Sequence, residues 1–269
     1  MTMMLSPDLL DRRALALIAL VDPFGRPLGG PAQLTGAGLR TVAKPGGRWA
    51  VLACKGLEAH VGSFESAPAS PAQGTVACAI DIRPADGALA PRRAVVPLPR
   101  DPDPDHKDEQ DSLFAPVTIT LLPSPQCPIP ATSAAVRVTV RKRNDGRRVA
   151  NALVRVASDN GQFAAQAVSD AAGEALVIVT DFPMSFTGGG GSVADGLPGK
   201  VTAVADPATA VLVEDAGVLA ALADARRQSQ GWADPDALAD AFPVPATGAA
   251  NIRLSTRVVA TTDVEWRAP

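Results

Sequence analysis

The chain has 269 residues, 46% hydrophobic but only 4% aromatic, with no tyrosine and a formal net charge of −3 from 25 basic and 28 acidic residues. A chain of this length exceeds a single β-sandwich and suits two domains, whose cores must be built from Val, Leu, Ile and Ala. The charge balance excludes any global electrostatic drive towards nucleic acid or an anionic membrane, and 25 prolines with 23 glycines and no Gly-X-Y period fit short strands joined by turns, not collagen or disorder.

Residues 1–13 read as an N-terminal lead-in, with Ser6 placed to cap one helical turn and Pro7 at its first position. The apolar run at 14–21 is too short to span a bilayer. Asp8 and Asp11 precede it, and no basic segment leads to a small-residue cleavage site. With no signal peptide legible, the expectation is a cytoplasmic protein, incorporated into a particle in one version of that reading, and leaderless export stays open. Strands are expected at 15–21, 32–35, 39–43, 48–54, 75–82 and 93–98, separated by a turn at 23–27, a break at 45–47 and a loop at 63–74. They compose a first β-sandwich over 14–99.

Proline alternating with aspartate in PLPRDPDPDHKDEQD favours extended, solvated backbone, so 100–116 reads as a semi-rigid linker before a second sandwich over 117–269. Residues 136–180 contain three runs with apolar side chains at every second position, divided by Asn-Asp-Gly, Asp-Asn-Gly and Asp-Ala-Ala-Gly. That period sends alternate side chains to opposite faces and predicts a β-meander with one buried face. Glycine-rich 186–192 is a loop, and 200–205 a strand. Residues 208–229 look helical from the spacing of Val211, Val218, Leu219, Leu222 and Ala225, and 235–241 gives a second short helix, making a small helical insertion over about 208–241. Alternation resumes at 251–266 and closes the sandwich.

An internal repeat underlies this layout. Residues 19–28 lie over 140–149 with Gly25 over Gly146, and 41–51 lie over 167–177 with Gly47 over Gly173. Two copies on one chain mean two related domains. The combination VDPFGRPLGGPAQLTG followed by PGGRWAVLA resembles the carboxypeptidase-regulatory-like domain, a transthyretin-like (prealbumin-type) β-sandwich of about seven strands. The resemblance covers roughly 14–99 and, more loosely, 134–267. It implies an all-β fold of two Ig/transthyretin-like sandwiches in tandem, and a non-catalytic spacer, docking or assembly module. The linker LPRDPDP with the following Ser112-Leu113-Phe114-Ala115-Pro116-Val117 is similar to accessory proteins of phage-tail-like contractile injection particles.

No constellation of catalytic residues accompanies the fold. Transthyretin-like hydrolases need several histidines and a tyrosine, and intradiol dioxygenases hold iron with tyrosines and histidines; this chain has two histidines, His60 and His106, and no tyrosine. Cys54, His60 and Cys78 could be imagined around zinc, but the spacing matches no short zinc signature and a fourth ligand is missing. Three widely spaced cysteines read instead as buried free thiols. Calcium could bind Asp101, Asp103, Asp105, Asp108 and Asp111, although the prolines interrupt any compact loop. Gly199-Lys200 lacks the hydroxyl of a phosphate loop, and no nucleophile elbow is present. No cofactor is expected.

The remaining candidate is Arg141, Lys142, Arg143, Arg147 and Arg148, a basic cluster straddling one hairpin turn. Without interleaved aromatics it is not a base-stacking surface; it is either an ordinary solvated turn or a contact for a protein with an acidic face. The sequence therefore reads as a non-enzymatic structural or adaptor protein whose partners are other subunits of an assembly, with homo-oligomerisation open. The alternative is a surface or secreted adhesin, or a ligand-binding module with Trp49 or Trp232 in an aromatic-lined pocket.

Overall fold

In the computed structural model, the residues described are 14–58, 60, 75–180, 182, 196–213, 232–241, 249–256 and 258–266. The fold is all-β: among these residues are sixteen strands, one 3-10 turn and one α-helix. The contacts divide the chain into two compact units, Met1–Leu20 with Leu34–Ile80 and Val95–Ile119, and Val21–Gln33 with Asp81–Ala94 and Thr120–Pro269.

In unit one, β1 (Ala16–Val21) alternates strictly, with Ala16, Ile18 and Leu20 buried. It pairs antiparallel with β4 (Arg48–Ala53), Ile18 opposite Trp49, and β4 forms a hairpin with β3 (Arg40–Lys44). With β7 (Val117–Thr120) the sheet order is β3-β4-β1-β7. A further sheet runs β2 (Ala32–Thr35), β5 (Val76–Pro84), β6 (Arg92–Leu98), and the residues of each of these strands are divided between the units.

Two sequence expectations fail in unit one. Cys54 and Cys78, expected as free thiols, are joined by a disulfide with Cα atoms 6.6 Å apart. Strand geometry brings them together across 24 positions that carry no motif. The Pro/Asp run expected to be extended folds back on itself instead. The Asp101 N–H donates to Asp111 O and the Leu113 N–H to Asp101 O, while Pro104–His106 makes a 3-10 turn. The Arg100 guanidinium donates to the carbonyls of Ser112 and Gln110, so inward-facing donors outweigh the preference of proline for extension.

Unit two contains two facing sheets. One is β11 (Ala164–Val168), β10 (Leu153–Ala157), β13 (Leu197–Val204) and β15 (Ala250–Leu254), in that order. The other is β12 (Glu174–Val179), β8 (Ala134–Lys142), β9 (Arg148–Ala150) and β14 (Val211–Val213), with β16 (Ala260–Trp266) parallel to β8. Their inner faces meet in one core. Val136, Val138, Val140, Ala175, Val177, Val264 and Trp266 come from one sheet, and Val154, Val156, Ala167, Val201, Ala203 and Leu254 from the other.

The expected meander over 136–180 is not one. The strands switch sheets in pairs: β8 and β9 lie in one sheet, β10 pairs with β11 and β13 in the other, and β12 returns to pair with β8. The chain crosses at Asn151, a buried residue with φ of 63° whose amide group donates to Thr209 O. Beside it the buried Ser169 hydroxyl donates to Val149 O and accepts from the Ala152 N–H, pairing two backbone groups that the crossing removes from the ladders. Nor is only one face buried. Leu176 and Ile178, on the outer face of β12, pack with Ala135, Cys127, Phe24, Ala88 and Ile129.

Two further expectations are corrected. Residues 211–213, read as helical, form β14 on β9, because three residues with buried ends complete a sheet there; residues 214–231 lie outside the described residues. The run at 251–266 is two strands in different sheets, with Val258 exposed in the connection. The short helix is present as α1 (Pro235–Ala241), capped by the Asp234 carboxylate, which accepts from the N–H groups of Asp236 and Ala237.

Candidate functional site

The basic hairpin lies between β8 and β9. Its turn closes through Lys142 N–H to Arg147 O, with Gly146 at φ of 69° immediately before the closing arginine. Gly25, its counterpart in the repeat, has φ of 76° and precedes Arg26, whose carbonyl closes the equivalent turn to the Asp22 N–H. An aspartate orders each turn. Asp22 accepts from the N–H groups of Phe24 and Arg26, and Asp145 from that of Arg147.

Folding neutralises the five cations locally. Arg141 pairs with Asp263 at 3.0 Å and Arg143 with Glu265 at 3.7 Å, both partners lying on β16. Lys142 and Arg147 share Asp145, at 3.7 and 2.8 Å, and Arg148 pairs with Glu174 at 2.9 Å. The hydrogen bond from Arg147, aided by the Lys142 charge, lowers the Asp145 pKa from its ordinary 3.8. Four carboxylates therefore answer five cations, and the surface they present is mixed in sign. The sequence showed the cations clustered but not their partners, because Asp263 and Glu265 reach them only through the parallel β8–β16 pairing.

Other sequence candidates are dispersed. The disulfide removes Cys54 and Cys78 as thiolate metal ligands, since an oxidised sulfur cannot supply the charge that zinc requires. Cys127 is a buried free thiol whose pKa burial raises above its ordinary 9.0. The acidic run spends its oxygens on itself: Asp101 accepts from the Asp103 N–H and binds His106 Nδ1 at 2.7 Å, and Asp103 accepts from the Asp105 N–H. No group of three or more metal-capable side chains assembles among the described residues. Lys200, beside Gly199 in β13, pairs with Asp159 at 2.7 Å. Trp49 is core, not platform.

Two features had no sequence signal. Arg92, 2% exposed on β6, donates to Thr120 O at 2.8 Å and to Asp236 at 2.5 Å, with Asp234 at 3.6 Å, tying β6 to α1 inside unit two. The second is the exposed edge of unit one. Strand β3 ends its sheet, four of its five residues are exposed, and Val42 is among them. Val95 and Phe114 add two further large apolar side chains exposed in this unit.

No protein-family model matches the chain, and no curated protein matches it. Among solved structures it is similar to the TIE protein of Bacillus anthracis, at a TM-score of 0.26 and 9% identity over 94% of this chain and 34% of that one. It is also similar to BcpA, the major pilin subunit of Bacillus cereus, at a TM-score of 0.24 and 9% identity, covering 95% of this chain and 58% of that one. A third is the shaft pilin SpaA of Lactobacillus rhamnosus GG, at a TM-score of 0.21 and 9% identity, covering 94% and 98%. The chain thus spans about a third of the TIE protein and just over half of BcpA. No helix among the described residues is long and apolar enough to cross a membrane.

Proposed function

We propose that the chain is a non-enzymatic structural or adaptor subunit of a multiprotein assembly, with a phage-tail-like contractile injection particle as the specific setting. The observation that carries this reading is the edge position of β3, beside which no further strand pairs among the described residues, together with an exposed Val42. A neighbour that adds a strand there pairs with the edge and buries the valine. The hairpin of Arg141, Lys142, Arg143, Arg147 and Arg148 is a second contact in this proposal. With its charges mixed, it recognises a neighbour of complementary pattern more than a uniformly acidic face.

The test is recovery of the tagged chain from its native cells, with light scattering on the purified protein. Stable partners or a defined oligomer are expected, and Val42→Pro, which removes a donor from the edge strand, should weaken that association at unchanged melting temperature. A monomer with no partner sinks the reading.

One observation favours the alternative, a surface or secreted adhesin or ligand-binding module. A buried disulfide persists in oxidising compartments and is rare in the cytosol. Thiol counting on protein taken directly from cells under alkylating conditions separates the two: a closed Cys54–Cys78 bond supports the exported form.

A further inference from the structure

The outer face of β11-β10-β13-β15 in unit two is organised in cross-strand rows by the strand register. One row is Val168–Leu153–Val204, sealed beneath Leu122, Ala233 and Leu238. The next on the same face is Gln166–Arg155–Thr202, and beyond it comes Ala164–Ala157–Lys200–Asn251. The intervening residues Val154, Val156, Ala167, Val201 and Ala203 point into the core, so strand alternation aims the Gln166–Arg155–Thr202 row outward. Over the second and third rows lies a groove of about 920 Å³ with walls of Ala157, Ala164, Ala239 and Ala249.

Three polar side chains on the floor of this groove find no hydrogen bond or ion pair among the described residues: Arg155, Gln166 and Thr202. Thr202 is only 6% exposed, and Arg155 is half-buried. Burial disfavours the Arg155 charge and lowers its pKa from the ordinary guanidinium value, and the field of Asp240 on α1 offsets this in part. Lys200 is already matched by Asp159. A guanidinium, an amide and a hydroxyl thus stand in one row without a hydrogen bond among the described residues, and they are not among the buried unsatisfied atoms, so they remain open to the groove and free to meet an acceptor laid over them. The guanidinium selects an anion, and a carboxylate matches its fork.

We propose that this groove binds a carboxylate of a partner polypeptide, carried on an extended segment with small apolar neighbours. Arg155 receives the carboxylate, and Gln166 and Thr202 add an N–H and an O–H. Adjacent rows on one face are two residues apart along a strand, so a segment lying along the strands sets every second side chain over successive rows. The alanine walls leave room for its apolar groups. The inference rests on the assembly reading only in making the ligand a polypeptide.

The experiment pans a seven-residue peptide library of Ala, Val, Ser, Glu, Gln and Lys, half amidated and half free acid, against the full chain. Glu or a free carboxyl terminus should be enriched, and the amidated half tells side chain from terminus. The best peptide should lose roughly 10- to 100-fold affinity for Arg155→Gln and a smaller factor for Thr202→Val. Because Arg155→Gln could perturb folding, the same peptide with Glu replaced by Gln is titrated against the unaltered chain, where a loss of the same order is expected. Enrichment blind to charge, or equal binding of the Glu and Gln peptides, overturns the proposal. A native partner recovered equally by the unaltered chain and by Arg155→Gln overturns the groove and leaves the assembly reading standing.

Discussion

The Nη2 of Arg92 lies 2.5 Å from Oδ2 of Asp236, 144 positions later in the chain, and the arginine is 2% exposed while the aspartate is 69% exposed. The pair joins β6 to the first turn of α1, and the Arg92 guanidinium also donates to the Thr120 carbonyl. The two ends of the contact are unequal. Loss of the buried cation strands a carbonyl and leaves a cavity, whereas loss of the exposed carboxylate leaves Asp234 in place.

Arg92→Ala should therefore destabilise the protein by about 3 kcal/mol, and Asp236→Asn by about 1 kcal/mol. Urea unfolding of both variants measures the difference, and equal costs would show that the pair is not asymmetric in the way its burial implies.

Reduction of Cys54–Cys78 releases a loop of 24 residues' separation, which costs about 3 kcal/mol in the chain-entropy account. Denaturation with and without reductant should reproduce the effect of the Cys54→Ser/Cys78→Ser double variant. Under denaturing conditions, reactive thiols should rise from one, Cys127, to three.

His106 is exposed, and its pKa is raised from 6.5, chiefly by the hydrogen bond to Asp101 and then by the charge of Glu109. A raised folded pKa stabilises the loop fully below pH 6.5, and the contribution disappears as pH climbs through the folded value. An NMR titration of the imidazole should give a midpoint above 6.5 that falls in Asp101→Asn. Amide exchange around 101–113 should quicken with rising pH beyond the intrinsic trend.

The repeat glycines separate two costs of a side chain. Gly146 at φ of 69° has open space around a new Cβ, so Gly146→Ala should cost about 1 kcal/mol for conformation alone. Gly173 has φ of 72° and would bring a Cβ within 2.7 Å of the Arg148 Cβ and 3.0 Å of the Val149 nitrogen. Gly173→Ala should cost about 3 kcal/mol. Thermal unfolding of the two variants tests that order.

At the sheet crossing, Ser169→Ala removes the hydroxyl that serves both Val149 O and Ala152 N–H, and should cost about 2 kcal/mol. Faster exchange of the Ala152 amide in the variant would place that loss at the crossing.

Sequence alone determined whatever depends on near neighbours. The inward valines of β8 and β12 followed from side-chain alternation, and the turns at Gly25, Gly146 and Gly173 from glycine's access to positive φ. The same reasoning located the basic hairpin. Tertiary structure alone decided how those pieces combine. Cys54 meets Cys78, Arg141 meets Asp263, Arg92 meets Asp236, and β12 is covered on its outer face by Phe24 and Ala88. It also decided that three residues at 211–213 inside an apparently helical spacing complete a sheet, and that Gln166, Arg155 and Thr202 share a row. The physical reason is common to all of these. A strand fixes which way a side chain points, but its neighbour across the sheet is set by register with a segment tens to hundreds of residues away, where no local periodicity carries the information.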